Sequence, residues 1–207
     1  MLDIFSAESA KMAANVFMHI LENEKVRDEL NNQPRKILLL TLVAYKGRTT
    51  RQFLSRLIPK GTNNVLLTEL CKSGHLTYYR EPGRETEYEL GEKFDKFAPK
   101  KYYSKPQLYF FTNALFNVSK YMTTYNITQW NTLLTIIEMS LKLDKTNTVE
   151  LGAKNIQSIR GNDSNKHTTR KSLETMGFIQ RVGRIGGGAR QTRFALNKYA
   201  YLLGANK

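Results

Sequence analysis

Apolar residues return at helical spacing through most of this chain and at strand spacing in two short places. Met12, Val16 and Ile20 recur every fourth residue after Ser6, a residue suited to cap a first turn, so residues 6–30 are expected to form a leading helix. Its second half, Glu22 to Glu29, is almost entirely charged and is expected to end in solvent. Asn31 and Asn32 break the pattern. Pro34 suits the first turn of a new helix through Ile37, Leu40 and Ala44, which Gly47 ends. Thr49 or Thr50 can cap a short helix carrying Phe53, Leu54 and Leu57, stopped by Pro59 and Gly61, and a third helix is expected from Thr62 to Ser73. Gly74 then stands where a helix C-cap is needed. Beyond it the period drops to two, and His75–Arg80 and Glu85–Leu90 predict an antiparallel hairpin about Pro82 and Gly83.

The order then repeats. Pro99, Lys100, Lys101, Ser104 and Pro106 interrupt both periodicities and mark a boundary, giving a unit over 1–100 and another over 101–207. A second leading helix, rich in aromatics (Tyr109, Phe110, Phe111, Phe116, Tyr121), runs from Pro106 to about Tyr125. Core or interdomain packing explains Phe110, Phe111, Ala114 and Leu115 better than base stacking does. Thr128 can cap the next helix, whose Trp130, Leu133, Leu134, Ile137 and Leu141 trace one face. A short strand at Val149 and Leu151, helices at 153–160 and 165–176, and a hairpin over 177–196 complete the copy. Tyr88 and Leu90 fall opposite Phe194 and Leu196, and Phe97 opposite Leu203; the second hairpin is longer at its tip. An internal duplication accounts for both halves at once.

Helix, helix, helix, then a basic two-stranded hairpin resembles the winged helix-turn-helix superfamily, here in tandem over about 34–97 and 128–203. The resemblance implies a mainly α fold with small antiparallel hairpins (α+β), each winged-helix unit preceded by a lead helix. It also implies that the third helix of a unit enters the major groove of DNA while the wing touches the phosphate backbone or the adjacent minor groove.

Charge separates the two copies. The 207-residue chain carries 32 Lys and Arg against 18 Asp and Glu, a formal net charge of +14, which favours polyanionic partners. Residues 1–100 hold 16 basic and 13 acidic residues, net +3, whereas 101–207 hold 16 and 5, net +11. Cys71 is the single cysteine, so no internal disulfide or thiolate cluster can form; a half-buried structural thiol in a reducing cytoplasm is expected. The longest apolar run, Ile37 to Leu40, is too short to span a bilayer and no basic-then-apolar leader is present, so a soluble, unprocessed protein away from membranes is expected.

The second unit carries the stronger signal. Asn165, Lys166, His167, Thr168, Arg170 and Lys171 stand in its third helix with no acid between Ser164 and Ser172, and their donors suit purine edges. Leu173 and Met176 must face the core, which places Lys166, His167, Arg170 and Lys171 largely outward. Its wing holds Arg181, Arg184, Arg190 and Arg193 around a tip containing Gly187, with no acid from Arg181 to Lys207. Arginines of this kind suit a narrow minor groove. In the first unit Arg48, Arg51, Asn63, Asn64 and Arg84 are the weaker candidates, because Glu81, Glu85, Glu87 and Glu89 share its hairpin. There Leu66 can reach the core, yet Val65 and Leu67 cannot both do so, and an apolar residue left outside points to a protein contact.

Three scattered histidines and the few acids of the basic half leave no metal site, cofactor motif or catalytic constellation. The expectation is therefore a non-catalytic, sequence-preferring binder of double-stranded DNA without cofactor. Such a protein would work as a homodimer, as a regulator or an origin- or partition-site binder of a mobile element. Three rivals remain: a plasmid-type replication initiator, which resembles this arrangement of two winged-helix units; a scaffold whose winged-helix units bind proteins; and a single-strand or RNA binder using the aromatic helix.

Overall fold

The computed structural model describes residues 5–58, 60–117, 127–145, 148–150, 170–171, 173–175, 179–184 and 192–196. The chain divides into two compact units, Met1–Tyr102 and Tyr103–Lys207. Among the described residues each is mainly helical with one small antiparallel sheet.

The first unit is built around α3 (Pro34–Lys46), whose residues from Lys36 to Tyr45 are all buried. A helix apolar on every side has to be wrapped, and α1 (Ala7–Glu22) supplies one wall with Ala10, Ala13, Ala14, Phe17 and Ile20. The Ser6 hydroxyl accepts the Ser9 N–H, and the Ser6 N–H donates to the Tyr45 hydroxyl at 3.2 Å. That bond sets the start of α1 beside the end of α3.

The leading helix does not run unbroken to residue 30. Asn23 adopts an extended backbone and its side chain caps a separate α2 (Glu24–Glu29). Nor does α2 stand free in solvent. The Arg27 guanidinium donates to the Leu21 carbonyl (2.7 Å), and Glu29 pairs with Lys93. Asn31 and Asn32 take left-handed φ of 54° and 52°, the conformation asparagine tolerates best after glycine, and turn the chain into α3.

Thr49–Thr50 forms a strand, β1, that the periodicity did not reveal, and Thr50 also caps α4 (Arg51–Leu57). A two-residue strand leaves no alternation to detect. The next helix, α5 (Lys60–Lys72), begins before Gly61 and so ahead of the expected Thr62. It ends in a Schellman turn: the Gly74 N–H donates to Cys71 and the His75 N–H to Leu70, with Gly74 at φ +74°. The hairpin follows as β2 (Leu76–Tyr79) and β3 (Glu87–Leu90), closed by a Pro82-Gly83 turn in which the Arg84 N–H donates to Glu81. The sheet order is β1-β3-β2, with Thr49 and Tyr78 on either side of Tyr88 and Leu76 opposite Leu90.

In the second unit α6 (Lys105–Asn117) packs on α7 (Ile127–Leu141). Ser104 and Gln107 form a reciprocal capping box, each side chain accepting the other's backbone N–H. The Gln107 amide also donates to the Leu141 and Leu143 carbonyls, at 3.0 and 2.7 Å, and so closes the far end of α7. Phe111, Ala114, Leu115 and Phe116 are buried, so the aromatic helix is largely core; Tyr109 remains exposed. Trp130, Leu133, Leu134, Ile137 and Leu141 are all buried as their spacing requires.

Strands β4 (Thr148–Glu150), β5 (Ile179–Arg184) and β6 (Thr192–Leu196) form a sheet of order β4-β6-β5, the pattern of the first unit. The register repeats as well. Ile179 pairs with Leu196 as Leu76 does with Leu90, and Val149 and Arg181 flank Phe194 as Thr49 and Tyr78 flank Tyr88. A bulge between Arg181 and Gly183 is the departure.

Candidate nucleic-acid interface

Of the third-helix candidates in the second unit, Arg170 and Lys171 are helical, while Asn165, Lys166, His167 and Thr168 lie outside the described residues. Lys171 is exposed and Leu173 fully buried, as the helical spacing demands. Arg170 is not on the outer surface as expected. It is half-buried, with Nε enclosed and without a hydrogen-bond partner. It lies three residues before buried Leu173, so the two fall on neighbouring parts of the helix surface.

In the wing, Arg181 and Arg184 belong to β5 and Arg193 to β6; Gly187 and Arg190 lie outside the described residues. Arg181 is exposed, and the bulge beside it leaves Val182 half exposed. A bulge at this point increases local twist and re-aims the side chains of an edge strand.

Two acids of this unit are committed locally, which no spacing rule could have revealed, whereas Glu174 on the third-helix segment is exposed. Glu138 is 0% exposed on α7 and pairs with Lys142 one turn later at 2.6 Å. Asp144 accepts both the N–H and the hydroxyl of Thr148, each at 3.0 Å, and so fixes the turn into β4. Two of five carboxylates thus serve the interior or a turn.

The first unit presents the opposite picture. Arg48 lies over the Tyr79 ring, 4.1 Å from its centroid, and donates to Glu89 at 3.3 Å, with Glu87 at 3.8 Å. Tyr79 also donates its hydroxyl to Glu89. The bond to Glu89 raises the pKa of Arg48 above its ordinary value and that of Tyr79 likewise. Arg84 pairs with Glu81 (3.0 Å), and the Gln52 N–H at the start of α4, next to exposed Arg51, donates to Glu85 at 2.5 Å. Carboxylates of the hairpin therefore occupy Arg48, Arg84 and the first turn of α4.

On α5, Leu66 and Leu67 are buried while Val65 is 57% exposed next to exposed Asn64; Asn63 is helical. Thr68, Cys71, Lys72, Tyr78, Arg80 and Tyr88 line a groove of about 490 Å³ between α5 and the hairpin. Cys71 is half-buried, and burial raises its pKa, so it is a poor nucleophile.

No family model, curated protein or solved structure matches this chain.

A second concentration of positive charge carries no sequence motif because it sits in neither a third helix nor a wing. Lys93, Lys96, Lys100 and Lys101 border a groove of about 410 Å³ beside α1. Among the described residues no helix is long and apolar enough to cross a membrane.

Proposed function

We propose that the chain is a non-catalytic binder of double-stranded DNA built from two tandem winged-helix units, with the second unit as sequence reader. The observation that carries this reading is the electrostatic asymmetry between two sheets of the same order and register. One hairpin carries glutamates that pair with Arg84 and with the neighbouring Arg48. The other carries Arg181, Arg184 and Arg193 in a unit whose Glu138 is buried and whose Asp144 is bound within a turn. A phosphate backbone is attracted to the second surface and repelled by the first. The third helix, chiefly through Lys166 and Lys171, supplies the base contacts, and the wing arginines position the duplex. In this reading the chain acts on a repeated site as a homodimer, in regulation or at an origin or partition site.

The test is a titration of the full chain with duplex DNA, single-stranded DNA and RNA at several salt concentrations, followed by selection of preferred duplexes from a random pool. A steep fall of duplex affinity with salt and enrichment of one sequence are expected. A flat salt response, or preference for single strands, rejects the reading.

One observation favours a protein-binding role for α5 of the first unit. Val65 is exposed on the surface that would otherwise meet bases, and an apolar side chain there suits a protein contact. Val65→Glu should lower the sedimentation-derived mass toward that of a monomer; an unchanged mass removes α5 from any dimer interface.

A further inference from the structure

We propose that the first unit meets the DNA backbone along the lysine-lined groove beside α1, between Asn15–Glu22 and residues 93–101, and not along its hairpin. This rests on duplex binding by the second unit, to which it adds a second, sequence-independent contact.

The groove is held in shape by three contacts. The Asn15 side chain bonds both backbone groups of Lys101. The Phe97 ring lies 5.1 Å from His19 and meets Phe94 edge-on at 6.2 Å. Lys96 and Lys100 thus project from a backbone anchored at its neighbours Phe97 and Lys101, and only their own side-chain freedom is lost when they bind.

Lys96 and Lys100 supply positive charge there, opposed within the segment by exposed Asp95. Lys93 is spent on Glu29 and Lys101 on Glu22, whereas none of the ion pairs among the described residues uses Lys96 or Lys100, and both are exposed. The one acid lining the groove, Glu22, is already paired. Burial holds the pKa of His19 below its ordinary value, so its ring is neutral near pH 7 and leaves the lysines as the source of field. Ammonium groups on flexible stems are point charges that favour phosphate without reading sequence. The hairpin is the poorer ligand for phosphate, because Arg48 and Arg84 are held by Glu81, Glu87 and Glu89, and exposed Arg80 adjoins Glu81 in a hairpin that also carries Glu85.

The experiment compares the full chain with K96Q/K100Q and with R80Q/R84Q by anisotropy of a labelled duplex across salt, with circular dichroism to verify folding. K96Q/K100Q should weaken binding several-fold on selected and scrambled duplex alike, and lower the slope of log affinity against log salt by up to about two units. R80Q/R84Q should leave affinity and slope unchanged, and K96R/K100R should retain wild-type binding. Duplex binding indifferent to K96Q/K100Q, or a loss confined to R80Q/R84Q, overturns this proposal while leaving the second unit's role intact. No duplex binding by the wild-type chain overturns both. Equal loss of binding to a poly-glutamate peptide and none to duplex would make the groove a site for acidic protein segments instead, which also overturns it.

Discussion

Asn15 holds Lys101 by both of its backbone groups: Nδ2 donates to the Lys101 carbonyl at 3.1 Å, and Oδ1 accepts the Lys101 N–H at 2.8 Å. The same Nδ2 also donates to Lys11 at 2.9 Å, so a buried polar side chain on the core helix is satisfied in every direction. A primary amide alone offers donor and acceptor side by side in the spacing of a peptide group. Asn15→Ala and Asn15→Asp should therefore each cost about 1–3 kcal/mol, the aspartate more because its carboxylate would face the Lys101 carbonyl. Urea unfolding of the full chain gives the cost, and hydrogen exchange at the Lys101 amide should accelerate in both. An unchanged exchange rate there would mean that the clamp is not closed in solution.

Acid should loosen the first unit through His75. Its ring is 1% exposed, with Ser73 Oγ 2.8 Å from Nδ1 and with Nε2 unbonded at 3.6 Å from Glu29. Burial, reinforced by the charges of Lys93 and Lys36 and opposed by Glu29, lowers its pKa from 6.5 to about 4. The unfolded chain then binds a proton that the folded one refuses. The stabilisation is complete above pH 6.5 and is lost as pH falls toward 4, by up to about 3 kcal/mol. Glu29, whose pKa is lowered chiefly by its bond to Lys93, adds loss of stability only as pH falls below its ordinary 4.5. Urea midpoints at pH 7.5 and 5 should differ in wild type, and the difference should shrink in His75→Asn. Equal midpoints would place His75 in contact with water.

Gly91 should tolerate no side chain. A Cβ there would stand 2.4 Å from the Gly74 carbonyl oxygen and 2.9 Å from the Leu76 nitrogen, both backbone atoms that cannot turn aside. Gly91→Ala should cost roughly 2–3 kcal/mol, as overpacking does when nothing flexible yields. Gly83→Ala is the control. Its φ of +75° is strained for alanine, but no atom stands within 4 Å, so about 1 kcal/mol is expected. If both substitutions cost the same, the Gly74 carbonyl yields to a Cβ at position 91.

Helix and wing of the second unit should separate by specificity. Lys166→Ala or Arg170→Ala should cost on the order of 1–3 kcal/mol on a selected duplex and little on a scrambled one. Arg184→Ala or Arg190→Ala should weaken both alike and lower the salt slope by about one unit each. Because Arg170 is half-buried with Nε enclosed, its removal also reaches the interior, and Lys166 is the cleaner probe. Competition binding measures the ratio. Equal losses from helix and wing would make the protein a binder of backbone or shape.

Local chemistry in the chain was enough to place most of the elements. Ser6, Thr50 and Gly74 mark helix ends because their side chains or dihedrals satisfy backbone groups within a few residues, and Pro34 marks one because it lacks the N–H a first turn leaves unbonded; none of this depends on the rest of the fold. The spacing of Tyr88 and Leu90 against Phe194 and Leu196 foretold a register that repeats in both sheets, since alternation across a strand is a local property too. Tertiary structure decided what became of the charges. Arg48, a weaker DNA-contact candidate by sequence, is a neighbour of Glu89 only because β3 returns beside β1. Glu138 leaves the surface because its helix is buried along nearly its whole length, and the Lys93–Lys101 segment becomes a positive rim because Asn15 pins it to α1. Coulomb energy depends on distance and burial, and neither can be counted along a chain.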